Sequence, residues 1–279
     1  VPRIIKNEVS WCTLYSEPNA GSDLASLQTR AEEDGDFFVV NGQKIWTSGA
    51  HLADWGILAC RTDQNMERHR GISVLLVEMK TPGITVRPLV NMAGSAGFNQ
   101  VFFDNVRVPK NNLLGEKNRG WQILRFGLNF ERSRTNFVLQ AAENIAGLVQ
   151  FAKERARNGK PLSKDPMVRQ KLADLAIRNR VSKNLSYRIV WMQATNQTIT
   201  YQANVDKVFE TELTQEIARM GIFLAGMHGQ LLRGPHALLD GQPAQSYLQT
   251  VGLTIAAGTS EVQRNGIAQG LGLPRSYEV

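Results

Sequence analysis

The chain has 279 residues, 42% of them hydrophobic, and a formal net charge of +7. That length carries one or two packed domains, and no run of eighteen apolar residues is present to cross a membrane as a helix. The basic balance suits a polyanion, either nucleic acid or a phosphate-bearing cofactor. The lysines and arginines are spread along the chain, with local clusters, and no zinc-finger or RNA-binding motif occurs, so charge alone does not name the partner, although no nucleic acid is expected.

The opening residues, Val1-Pro2-Arg3-Ile4-Ile5-Lys6, lack the apolar core of a signal peptide. Cys12 and Cys60 lie in apolar, strand-like surroundings without metal-ligand spacing. They read as two buried free thiols of a reducing compartment. The expected location is cytoplasmic, or the mitochondrial matrix in a eukaryote. His51, His69, His228 and His236 show no ligand spacing, so no metal is assigned.

Up to residue 107 the chain is a series of short apolar or alternating runs. Asp34-Gly35 predicts a turn. Asn41-Gly42, between Phe37-Phe38-Val39-Val40 and Lys44-Ile45-Trp46, predicts a hairpin. Trp55–Cys60, Ile72–Val77 and Val101–Phe103 read as further strands, with a break at Pro82-Gly83. From about residue 118 the apolar period turns helical. Ile123, Phe126, Phe130, Arg134, Phe137, Ala141, Ile145, Leu148 and Ala152 step by three or four, only Arg134 being polar, and predict one long amphipathic helix that ends at Asn158-Gly159. Asp165-Pro166 opens a second helix reaching Ala194. A third covers 199–228, and a fourth lies beyond Pro243. The expected fold is α+β: an N-terminal β-barrel or sandwich domain over 1–110, then a four-helix bundle over 111–279.

Three features carry chemistry. Ala20, Gly21 and Ser22 are small enough for backbone N–H groups to approach a ligand, although Pro-Asn-Ala-Gly-Ser-Asp is also ordinary turn composition. Trp46, just after the predicted hairpin, reads first as cross-strand packing. Glu131 falls one turn from Leu128 and two from Leu124 on an apolar stripe, which is costly for a carboxylate unless it is paired or neutral. That makes it a candidate base; pairing with Arg134 one turn on is the structural alternative.

Four segments resemble the acyl-CoA dehydrogenase family. Ser16-Glu17-Pro18-Asn19-Ala20-Gly21-Ser22-Asp23-Leu24 is similar to its flavin-binding signature. Asn41-Gly42-Gln43-Lys44-Ile45-Trp46-Thr47-Ser48 is similar to its second flavin segment. Val106-Arg107-Val108-Pro109 resembles the exit from its β domain, and Gly258-Thr259-Ser260-Glu261-Val262-Gln263-Arg264-Asn265 its C-terminal signature. Order and spacing agree over nearly the whole chain. The family's N-terminal helical domain is not in this sequence, which reads as a shortened member.

The resemblance implies FAD as cofactor and α,β-dehydrogenation of an acyl-CoA. It also implies an electron-transferring flavoprotein as acceptor, and a dimer or tetramer of like or unlike chains. It places Ser16, Gly21, Ser22, Trp46, Thr47, Ser48, Arg155, Thr259 and Glu261 at FAD, and Ser22, Asn129, Arg132 and Gly258 at the acyl-CoA. Many members carry the base just before the Gly-Thr, where this chain has Ala257; a second branch carries it on the long helix, in a context that Asn129-Phe130-Glu131-Arg132 resembles. Glu131 is therefore the expected base. Arg155 and Gly159 resemble an Arg-x-x-Phe-Gly motif in which Asn158 replaces the Phe. An acyl-CoA oxidase-like flavoprotein, a non-catalytic subunit and a DNA-associated relative are the competing expectations.

Overall fold

A computed structural model of the chain describes residues 2–131 and 135–274, with the side chains of 128–131 outside the description. It divides into two compact units, Val1–Gly127 and Leu128–Val279.

After a single helical turn, α1 (Pro2–Ile5), the first unit is built on seven strands: β1 (Trp11–Leu14), β2 (Arg30–Asp34), β3 (Phe37–Ser48), β4 (Trp55–Arg61), β5 (Ile72–Glu78), β6 (Ile84–Leu89) and β7 (Phe98–Pro109). They form one sheet in the order β1-β4-β2-β3-β7-β6, with β5 also paired to β4. Alternation fixes one face. Leu14, Phe38, Val40, Leu58, Val101 and Val106 share a core, each worth about 1.5–3 kcal/mol of burial. β5 is buried on both sides. Leu75 and Val77 join that core, while Ile72 and Val74 join a second cluster with Leu27, Ala59 and Leu124. This explains why β5 reads as a continuous apolar run. Leu124 belongs to α2 (Gly120–Glu131).

Asp34-Gly35 does turn the chain, between β2 and β3. Asn41-Gly42 does not. β3 runs straight through it and pairs with β7 on either side of a bulge. Asn41 Oδ1 accepts the Asn105 N–H at 2.9 Å, which fills the gap in the ladder. Gly42 is there because its φ is +145° and a Cβ would meet Thr29 at 2.6–2.9 Å. The glycine marks a close approach of backbone, a use the dipeptide shares with hairpin turns.

The second unit contains α3 (Thr135–Glu154), a small hairpin of β8 (Ala156–Arg157) and β9 (Lys160–Pro161), then α4 (Pro166–Ala194), α5 (Gln202–Ala225), α6 (Gln242–Thr250) and α7 (Ser260–Gly270). α3 buries Ala141, Ile145 and Ala152 of the predicted face, with Val138 buried in place of Phe137. Whether α2 and α3 are one helix turns on 132–134, outside the described residues. α3 ends at Glu154, and Asn158-Gly159, both at positive φ, form the turn of the β8–β9 hairpin. Asp165 caps α4 by accepting the Met167 N–H at 2.8 Å. Ala141, Ile145, Leu172, Leu175, Leu213, Ile217 and Leu224 make one core among α3, α4 and α5. The helix expected beyond Pro243 is two helices, α6 and α7, both packed on α5. Ala257 (φ 53°) and Gly258 (φ 84°) stand before the second and cannot continue a helix.

Candidate functional site

In the first unit the two segments singled out in the sequence are tied together. The Ile45 N–H donates to Ser16 O at 2.9 Å. Beneath this bond lies a buried ion pair, Lys44 Nζ to Glu17 Oε1 at 2.8 Å, and Lys44 also donates to Tyr15 O at 3.0 Å. The Glu17 carboxylate accepts the N–H groups of Gln28 (2.7 Å) and Thr29 (2.9 Å). Burial works to raise the Glu17 pKa; the charge and hydrogen bond of Lys44 and the Gln28 amide outweigh it and hold the carboxyl below its usual range. Gly21 and Ser22 are exposed on the turn that follows, and a Cβ at Gly21 would meet nothing.

Trp46 departs from the packing expected of it. Lys44 pairs with Val101 and Thr47 with Asn99, so Ile45 and Trp46 together oppose Gln100 in a bulge. Trp46 has φ 61° and its indole is 58% exposed. The bulge flips the alternation: Phe38, Val40 and Lys44 point inward at even positions, then Thr47 does. Phe98 supports the Trp46 ring edge-on at 6.0 Å. Ser48 is exposed. Thr47 is buried, and its Oγ1 has no hydrogen-bond partner. A tryptophan held in the left-handed region with its ring in solvent is strain retained at a surface, which points to function.

In the second unit, Thr259 caps α7, its hydroxyl accepting the Val262 N–H at 3.2 Å. Glu261 is exposed in the first turn, and its carboxyl is held below its usual range by its own backbone amide and then the Thr259 hydroxyl. Gly258 O accepts from Lys207 Nζ at 2.7 Å, and Ala257 O accepts from Gln263 Nε2 at 2.9 Å. Arg155 is exposed just beyond α3, with its guanidinium 5.7 Å from the Phe151 ring. Asn129 and Glu131 lie in α2 with side chains outside the description, and Arg132 is outside the described residues. Among the described residues no cluster of three or more His, Cys, Asp or Glu is placed to hold a metal ion, and no helix is long and apolar enough to cross a membrane.

Residues 12–106 match the family profile "Acyl-CoA dehydrogenase, middle domain", and residues 118–272 match "Acyl-CoA dehydrogenase, C-terminal domain". The chain belongs to the acyl-CoA dehydrogenase family. It is 37% identical to the acyl-CoA dehydrogenase IpdE1 of Mycobacterium tuberculosis over 99% of this chain and 70% of that protein. Among solved structures, a steroid acyl-CoA dehydrogenase, Tcur3481-Tcur3483, superimposes with a TM-score of 0.90 at 33% identity, over 99% of this chain and 71% of that one. The ChsE4-ChsE5 complex of Mycobacterium tuberculosis superimposes with a TM-score of 0.86 at 35% identity, over 99% and 72% of the two chains. The β domain followed by a helical domain is the family's architecture.

Acyl-CoA dehydrogenases are FAD-dependent, and the first unit suits a flat, polar-edged ring. It presents an exposed indole, the exposed Ser48 beside it, and the buried Thr47 hydroxyl left unpartnered. Four residues that organise these segments were not singled out in the sequence: Glu17, Lys44, Lys207 and Gln263. Lys44 had a signal, because it sits at the inward parity of Phe38 and Val40. A lysine there must be buried and paired.

Proposed function

We propose that this chain carries out FAD-dependent α,β-dehydrogenation of an acyl-CoA thioester, with Glu131 as the base. The observation that carries this is the Trp46 bulge, an exposed indole in a strained conformation beside Ser48. In this reading the β domain, residues 1–110, provides the flavin platform through Ser16, Gly21, Trp46, Thr47 and Ser48. The helical domain, residues 111–279, provides Glu131, with Asn129, Arg132 and Gly258 at the substrate, and Arg155, Thr259 and Glu261 at FAD. Ser22 stands toward the acyl-CoA. The net charge of +7 suits the phosphates of both ligands.

The α-hydrogen of a thioester is weakly acidic, so a placed base and a donor to the carbonyl must act together. Glu131 removes the α-proton, and a backbone N–H of the loop at Ala257 donates to the carbonyl oxygen as negative charge develops there. FAD held by Trp46, Thr47 and Ser48 would supply the hydride acceptor for the β-hydrogen and the route of the electrons to an electron-transferring flavoprotein. Ala257 has no carboxyl, and the resemblance of Asn129-Phe130-Glu131-Arg132 to the branch that carries the base on the long helix supports Glu131.

The test is anaerobic. A panel of straight-chain, branched and steroid-derived acyl-CoAs is added to the flavin-loaded protein in its native assembly. One class should bleach the flavin band, and Glu131→Gln should abolish bleaching while sparing FAD binding. Near-normal reduction in that variant removes Glu131 from the role. Rapid peroxide formation in air would favour an oxidase.

A second reading also has observations in its favour. The position before Gly258 is Ala257, and similar solved structures carry paired names, Tcur3481-Tcur3483 and ChsE4-ChsE5. This chain would then be one member of a heteromeric enzyme, the catalytic or the silent one. The exposed Ile177, Tyr187 and Trp191 of α4 suit burial against another chain. Native mass of the purified assembly, with one chain type or two, separates the cases.

A further inference from the structure

Asn99 of β7 is wholly buried. A primary amide removed from water must place its N–H donors and its oxygen on partners. Nδ2 donates to Thr47 O at 2.9 Å and, more loosely, to Gly97 O at 3.5 Å. Oδ1 lies 3.1 Å from Nδ1 of His51, an exposed residue in the turn that follows β3. An amide oxygen has no hydrogen to give, so His51 Nδ1 is the donor. The reversed amide would set its oxygen against the Thr47 carbonyl. The His51 bond therefore fixes which end of Asn99 faces β3.

This amide stands where β3 has two registers open to it. On one side of the bulge Lys44 pairs with Val101, and on the other Thr47 pairs with Asn99. The Gly49 N–H donates to Gly97 O at 3.0 Å and continues the second register. Without the extra residue, counting on from Lys44 sets Trp46 opposite Asn99 and turns Thr47 outward. The bulged register has two costs. Trp46 takes φ 61°, and the Thr47 hydroxyl is buried without a partner. Both costs would fall away in the straight register. The bond from Asn99 to Thr47 O opposes that slip, because it is made only when residue 47 lies opposite the buried amide.

We propose that Asn99, oriented by His51, is a positioning residue that locks β3 in its bulged register and so keeps Trp46 and Ser48 on the surface that takes the flavin ring. This rests on the flavin reading above and adds to it the residues that hold the platform in place. Asn99 acts through the Thr47–Ser48 peptide: with Thr47 O held, the plane that leads to Ser48 is held as well. A slip of one residue turns the indole and the Ser48 side chain inward together. Flavin affinity then falls by the fraction of chains left in the competent register.

The experiment compares the native assembly with its Asn99→Leu, His51→Phe and His51→Gln variants. Leucine is close to asparagine in size and lacks the amide. His51→Phe keeps the test open should Asn99→Leu fail to fold, since it removes only an exposed donor. His51→Gln restores an N–H donor. Two readouts are taken. The first is the FAD dissociation constant with the visible spectrum of the bound flavin. The second is acrylamide quenching of Trp46 in the flavin-free assembly, read as the difference between each protein and the same protein carrying Trp46→Phe.

Asn99→Leu should raise the FAD dissociation constant about tenfold or more, as expected when on the order of one chain in ten keeps the bulged register. The Trp46 share of quenching should fall in step, and the flavin spectrum should move toward that of the free cofactor. His51→Phe should act in the same direction by about threefold, and His51→Gln should recover part of it. Folded variants with affinity and quenching unchanged overturn the proposal and leave the flavin reading standing. Weaker FAD binding with Trp46 still fully quenched overturns it as well, because the loss is then no change of register. A wild-type assembly that takes up no FAD, while Asn99→Leu still shields Trp46, overturns the flavin reading and leaves the register lock.

Discussion

Lys44 and Glu17 form an ion pair almost wholly removed from water, Nζ to Oε1 2.8 Å, directly under the backbone bond that joins Ser16 to β3. Every oxygen of the carboxylate is used: Oε1 accepts from Lys44 and Thr29, and Oε2 accepts from Gln28. Removing one member leaves the other charge buried alone, at a cost of about 3–5 kcal/mol. Lys44→Met should therefore lower the urea midpoint sharply and lower flavin content with it. Lys44→Met with Glu17→Leu should recover stability more than flavin content, because the apolar pair packs but does not hold Tyr15 O and the 28–29 turn.

The same pair sets a pH dependence. The Glu17 carboxyl is held below its usual value of 4.5 in the folded protein by Lys44 and the Gln28 amide. Its contribution to stability is thus fully present above the unfolded pKa and is lost as pH falls through the folded one. Thermal melts taken downward from pH 6 should show a loss that begins near 4.5 and deepens below it. Lys44→Met with Glu17→Leu should show a shallower loss over that window.

Cys12 and Cys60 are free and buried, and burial pushes their thiols up to about 11 and about 12. The thiolate is the reactive form, so both should be silent to a disulfide reagent at pH 8 in the native protein. Two thiols should titrate once it is unfolded. Rapid native labelling of either would place that strand differently.

Gly42 should be intolerant for two separate reasons. Its φ of +145° strains any L side chain, and a Cβ would sit 2.6–2.9 Å from Thr29, including its Cα. Backbone strain of this kind costs on the order of 1–3 kcal/mol before the clash is counted. Gly42→Ala should destabilise by at least that much in urea, whereas Gly21→Ala, where a Cβ meets nothing, should stay within about 0.5 kcal/mol.

Gly42 also shows where the sequence was legible and where it was not. Strand parity placed Phe38 and Val40 in the core, and helical period placed Ala141, Ile145 and Ala152. Both patterns are written in local spacing. Asn41-Gly42 has the chemistry of a hairpin turn, but the reason for its glycine is Thr29, thirteen residues back and on another segment. That Trp46 turns outward was not readable in local spacing, because the bulge that exposes it depends on the register of β7; only the resemblance suggested a flavin there. Lys207 and Gln263 left no local mark: a lysine in a helix is ordinary until its partner, a carbonyl fifty-one residues away, is known.

Trp46 supplies a prediction that separates fold from function. Its ring is 58% exposed and its backbone is left-handed. Trp46→Gly removes little buried surface and relieves backbone strain, so stability should stay within about 1 kcal/mol. FAD affinity should fall at least tenfold, read by flavin retained on gel filtration. Unchanged retention would remove Trp46 from the flavin platform.

The last prediction asks whether the base can be moved. If Glu131 is the base, Glu131→Gln should slow acyl-CoA-driven flavin reduction by about 10²–10⁴-fold, the usual worth of a placed general base. Ala257 occupies the position where other members of the family carry theirs, and it is exposed. Adding Ala257→Glu to Glu131→Gln should therefore return measurable reduction, with a different preference among acyl chains because the carboxylate approaches from another backbone. Ala257 already holds the left-handed dihedral, φ 53°, so the larger side chain adds no new backbone strain. Recovery would place both positions around one α-carbon. No recovery, with flavin still bound, would mean that the loop at Ala257 lies beyond reach of the α-proton.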